Sequence, residues 1–135
     1  MAIQYIVVLA IILPSLAFAS NPCEKTSNTI EINNCVQSKV ESAEKVLAMY
    51  YEESKRQYAE SPKVLTALSK SQKIWLQFRK AHCEAIYEMW SEGTIRGTMY
   101  ENCLLEQTRR RTHDLWESYL TFMDSTPPVL SEPSW

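Results

Sequence analysis

Glycine is nearly missing from this chain. Gly93 and Gly97 are the only two in 135 residues. A phosphate-cradling loop needs several glycines close together, so that class of nucleotide site is excluded. Proline is equally sparse in the interior, where Pro62 is the only one between Cys23 and Thr126. No segment of useful length alternates apolar and polar residues as a half-buried strand does. An excess of one charge is lacking too. The net charge is −2 with both signs interspersed, so no basic surface advertises nucleic acid. No two cysteines form a C-x-x-C pair, and His82 and His113 lack ligand spacing. No metal or cofactor is therefore expected.

What is present begins with an uncharged run from Ile3 to Phe18, rich in Ile, Val, Leu and Ala, ending in Ala17-Phe18-Ala19-Ser20. Small residues at −3 and −1 suit a signal peptidase, so residues 1–19 read as a signal peptide cleaved after Ala19. The run is short for a spanning helix and Pro14 interrupts it, so no membrane span is expected after cleavage. Ser20-Asn21-Pro22 before Cys23 is not a lipobox. The remainder is sized for one domain. It is expected in the periplasm or outside the cell, where an even number of cysteines reads as two disulfides.

Three uninterrupted stretches follow. Asn28 with Glu31 three residues later reads as a capping box. Val36, Val40, Ala43, Leu47 and Tyr50 then recur at helical spacing. Ser61-Pro62 opens a second helix, whose apolar stripe is Val64, Leu68, Ser71, Trp75, Phe78, His82, Ala85 and Met89. His82 reads there as a partly buried, hydrogen-bonded side chain. Residues 92–97 form a turn. A third helix carries Met99, Cys103, Leu104, Leu115, Leu120 and Phe122 to about Asp124, with a polar middle at Thr108-Arg109-Arg110-Arg111. The fold class is all-α: a three-helix antiparallel bundle with two disulfides, over residues 20–124. Residues 125–135, with three prolines, read as a flexible tail.

Counting from the turns puts Cys35, Cys83 and Cys103 level, so all four cysteines gather at one end of the bundle. Of the three possible pairings, Cys23–Cys35 with Cys83–Cys103 is favoured. Cys35–Cys83 is the alternative if that flank of the second helix faces the first.

No constellation carries chemistry. Ser42-Ala43-Glu44-Lys45 spells S-x-x-K, but no K-T-G or S-D-N accompanies it. Paired carboxylates need a cleft, which a thin bundle scarcely offers. The chain reads as a non-enzyme with no catalytic residue. Trp75 and Phe78 read as packing residues. Arg79 and Arg111, among apolar neighbours, are expected to hydrogen-bond within the bundle, to Thr108 or a glutamate. Glu84, Glu88 and Glu92 recur every four residues on one face, in the last turns of a helix whose dipole they oppose. With Trp90 and Tyr100 flanking the glycine turn, and Glu24, Glu31 and Glu101 expected close by, they are the candidate partner-binding residues.

The motifs resemble a known family. Cys23, Glu31-Ile32-Asn33-Asn34-Cys35 and Gln72-x-x-Trp75-x-x-Phe78-Arg79-x-x-x-Cys83 are followed by Gly93-Thr94-Ile95, Tyr100-Glu101-Asn102-Cys103 and Thr108-x-x-Arg111. This pattern, spanning about Cys23 to Leu115, is similar to the LprI-like lysozyme-inhibitor domain family. The resemblance marks Trp75, Arg79, Gly93, Thr108 and Arg111 as structural motif residues. Lys80 and the Glu44-Lys45-Val46-Leu47 segment depart from the family pattern. The resemblance implies a protein partner, a lysozyme-type muramidase, for an exported inhibitor. The rival expectation is an envelope assembly protein using Arg109-Arg110-Arg111 or the tail as its contact surface.

Overall fold

The computed structural model describes Cys23 and residues 28–135. The expected signal peptide, its cleavage site and Glu24 lie outside the described residues. Three helices follow in order: α1 (Thr29–Gln57), α2 (Pro62–Met89) and α3 (Arg96–Tyr119). Asn28 caps α1, its side chain accepting from the Glu31 N–H at 2.9 Å. This satisfies one of the amides a helix start leaves open. Pro62 begins α2 at the position where a missing N–H costs nothing.

The fold is an all-α, up-down-up bundle. α3 packs against both other helices, whereas α1 and α2 scarcely touch. α1 and α3 run parallel. Val36, Val40 and Ala43 meet Leu105 in one cluster with Cys23. Leu47 and Tyr50 meet Leu115, Leu120 and Leu68 in a second. The α1 stripe read from sequence is thus buried from Val36 to Tyr50. Gly97 lets the α1 and α3 starts approach, since a Cβ there would lie 3.2 Å from the Asn33 side-chain oxygen. Gly93 meets only ordinary packing distances.

The disulfides are Cys23–Cys35 and Cys83–Cys103, with Cα atoms 5.7 and 5.6 Å apart. Both lie at the end that holds the starts of α1 and α3. Loops of 12 and 20 residues are each worth about 3 kcal/mol in the loop-entropy model.

Three expectations require correction. The second-helix stripe holds at Leu68, with Trp75 half-buried, but then turns outward. Phe78 is 53% and Met89 69% exposed, and His82 is exposed too, stacked on Phe78 at 5.4 Å. The inward residues are instead Arg79 and Cys83, one position on, which is 100° of helix rotation. The third helix ends at Tyr119, so Phe122 lies beyond it and is exposed.

The third correction concerns residues 125–135, which are docked on the bundle and not free of it. The Val129 N–H donates to the Leu120 carbonyl at 2.8 Å. Trp116 Nε1 donates to the Leu130 carbonyl at 3.0 Å. The Tyr50 hydroxyl donates to the Ser131 carbonyl at 2.7 Å. Val129 and Leu130 close the second core cluster. The prolines favour this docking, because a ring-locked φ leaves less entropy to lose. Ending the chain at Thr126 should therefore uncover Leu120 and leave the Trp116 and Tyr50 donors unpaired. We expect a loss of about 2–3 kcal/mol in denaturant melts. An unchanged melt would show that the segment contributes nothing to the core.

Candidate functional site

Between the two apolar clusters runs a polar belt built by the motif residues. Thr108 is fully buried. Its hydroxyl donates to the Leu104 carbonyl at 2.7 Å and accepts from Arg79 Nη1 at 2.8 Å. Arg79, with its side chain 14% exposed, also meets Glu44 Oε1 at 2.8 Å and lies over the Trp75 ring at 5.1 Å. The Thr112 hydroxyl is satisfied by the Thr108 carbonyl at 2.9 Å. One turn along, Arg111 donates to Gln72 at 3.0 Å and to Ser71 at 3.1 Å. Burial pulls the Arg111 guanidinium below its ordinary value, yet an arginine stays charged at neutral pH. Gln72, Trp75, Arg79, Thr108 and Arg111 thus form a cross-helix network, with Arg79 bridging all three helices. The carboxylate that Arg79 meets is on α1, in the segment that departs from the family pattern.

The second feature lies at the cysteine end. Glu84, Tyr87 and Glu88 of α2 and Tyr100 of α3 line one open groove of about 470 Å³. The two rings meet edge to face with centroids 6.1 Å apart. The Arg96 guanidinium lies over Tyr87 at 4.9 Å. Lys80 is paired with Glu84, so among the described residues Glu88 is the groove carboxylate with no side-chain partner. Of the candidate partner-binding residues, Glu84, Glu88 and Tyr100 come together here. Trp90 and Glu92 sit just past the end of α2, both exposed, with the exposed Ile95 across the turn.

Tyr87 and Arg96 were not among the candidates. The signal for Tyr87 was present in the spacing, since residues 84, 87 and 88 share one helix face.

Glu101 belongs to a different acidic group, with Glu44 and Glu41 of α1. Burial raises its pKa, and those two charges push the same way. Such a carboxyl binds its proton more tightly folded than unfolded. It therefore costs stability above its folded pKa, and the cost is released as pH falls through that range.

Chemically, the groove can hold a cation. The tyrosine rings, one of which already carries Arg96 on a face, and the Glu88 carboxylate suit a guanidinium or ammonium group. Among the described residues no cluster of His, Cys, Asp and Glu could hold a metal ion. No helix there is long and apolar enough to cross a membrane.

A family model described as "Lysozyme inhibitor LprI" matches residues 19–115, well over half of the chain. No curated protein and no solved structure matches.

Two outcomes follow from the belt and the acidic group. Arg79→Met keeps the stem but removes the bonds to Thr108 and Glu44. It should cost about 1–2 kcal/mol, read as a lower melting temperature, and leave partner binding at the groove intact. Glu101→Gln should raise the melting temperature at neutral pH. That gain should vanish below the ordinary glutamate pKa of about 4.3. A gain that persists at low pH would point to packing in place of charge.

Proposed function

The chain belongs to the LprI lysozyme-inhibitor family, and from that premise we propose that it is an exported protein that inhibits a lysozyme-type muramidase. The groove receives a cationic side chain of the enzyme. Periplasm or extracellular space is the proposed compartment, consistent with the two disulfides.

The observation that carries this reading is the groove itself. A basic hydrolase presents arginine and lysine side chains, and the groove offers what such groups bind. Its carboxylate supplies a charge-assisted hydrogen bond, and its tyrosine faces add a cation–π contribution of about 0.5–2 kcal/mol. Arg96 over Tyr87 shows the same ring accepting a guanidinium within the molecule. Trp90 and Ile95, exposed beside the groove, are the apolar anchors a small interface needs. A net charge of −2 gives little long-range steering, so association should be ordinary in rate and modest in affinity.

The surfaces of the rival reading are partly engaged within the molecule, although Arg110 stays exposed. Arg111 points inward to Gln72 and Ser71. Arg110 pairs with Glu106, and Arg109 stacks on Trp135. The tail is docked on the bundle.

The test is muramidase turnover on a cell-wall substrate with purified, disulfide-bonded Ser20–Trp135. We expect dose-dependent inhibition. Glu88→Lys and Tyr100→Ala should each weaken it about tenfold or more, which corresponds to about 1.4 kcal/mol. No inhibition at large molar excess would overturn the proposal.

A further inference from the structure

The apolar stripe of α2 that faces outward is unused by the fold and by the groove. Ile74 is 54%, Phe78 53% and Met89 69% exposed. With His82 and Ala85, also exposed, they recur at helical spacing along one side of a helix that packs mainly on α3. An exposed apolar row of this kind marks an interaction surface.

The charges of α2 say what covers it. Every basic residue of the helix, Lys63, Lys70, Lys73, Arg79 and Lys80, precedes both acidic ones, Glu84 and Glu88. That order opposes the helix dipole at both ends, with no acid in the first turn and no base in the last. A helix charged this way is complementary to an antiparallel copy of itself. The partner brings its positive half to this helix's negative half, and its dipole runs in reverse. The register follows from the stripe. A two-fold axis near position 79 sets Phe78 against its counterpart. Lys70 and Glu88 lie equally far from that position, on the same flank of the stripe. A two-fold exchange keeps that flank on one side, so each Lys70 faces the Glu88 of the other copy.

We infer that the exposed face of α2 is a self-association surface, on which a second copy of this chain docks antiparallel about a two-fold axis near position 79. One helix face buries less than the roughly 1,200 Å² of a standard interface. The dimer is therefore weak, with a dissociation constant on the order of 10–100 μM. This surface shares Glu88 with the groove, but its test reads association and not inhibition, so failure of inhibition leaves it untouched.

Sedimentation equilibrium of disulfide-bonded Ser20–Trp135, from about 10 μM to 1 mM, tests it. We expect a monomer–dimer equilibrium that weakens as salt is raised. Phe78→Asp and Lys70→Glu should each raise the dissociation constant about tenfold or more. Both positions are exposed, so the helical circular dichroism and melt should stay those of the parent. Combining Lys70→Glu with Glu88→Lys should restore the dimer by exchanging the pair. A monomer throughout the range would overturn the inference. So would a dimer indifferent to Phe78→Asp, or a charge swap that restores nothing.

Discussion

The Cys83–Cys103 bridge decides which side of α2 faces the bundle, and much else follows from that choice. Helix α2 fully buries only Leu68 and Cys83, so hydrophobic burial alone gives it a weak rotational preference. It carries two apolar rows about 60° apart, one through Trp75 and Ile86, the other through Phe78 and Met89. Burying either would gain a similar area. With Cys83 tied to α3, Arg79 one turn earlier must point inward, where Thr108 and Glu44 receive it. Trp75, another turn back, then closes the second cluster. The Phe78 row is left in solvent by geometry and not by polarity.

The polar belt reinforces this selection. A buried guanidinium is costly unless its donors are satisfied, and removing one partner of such a network costs more than forming it gains. Rotating α2 to bury Phe78 would separate Arg79 from Thr108 and Gln72 from Arg111. It would leave the half-buried Arg111 without its Gln72 and Ser71 acceptors. Apolar clusters above and below the belt supply most of the cohesion. The belt supplies register, and the hydroxyls of Thr108 and Thr112 add nothing unsatisfied because each donates to a carbonyl four residues back.

What the sequence made legible was what local chemistry determines. Asn28 and Pro62 mark their helix starts without reference to anything distant. The Val36–Tyr50 row is the only apolar face of α1 of any length, so it could only be the buried one. Level cysteines favoured the two bridges found but left Cys35–Cys83 open, and the family motif named the belt residues whose contacts α3 completes. What escaped was what depends on tertiary competition. Periodicity alone could not choose between the two rows of α2. The tail looked like solvent-exposed chain because its anchors are single residues, Val129 and Leu130, and its hydrogen bonds use backbone carbonyls that no side-chain pattern reveals. The groove was half legible. Glu84, Glu88 and Tyr100 were read from charge and position, while Tyr87 passed as one more aromatic on a helix.

The reversed charge order of α2 ties these features together. Glutamates at a helix C-terminus are disfavoured by a few tenths of a kcal/mol each, and Lys80 offsets this only for Glu84. The carboxylate left over is Glu88, at the edge where the groove meets the outward row. It can be satisfied from one side by a cation entering the groove beside Tyr87 and Tyr100, or from the other by Lys70 of a second copy. One carboxylate cannot make both ion pairs at full strength, so on these two proposals target binding and self-association are coupled with a negative sign. By reciprocity, whatever factor the dimer removes from target affinity, the target removes from dimer affinity. With a weak dimer that coupling acts only when the protein is concentrated. A dilute monomer would present the groove open, and a crowded one would hold its most exposed apolar row covered.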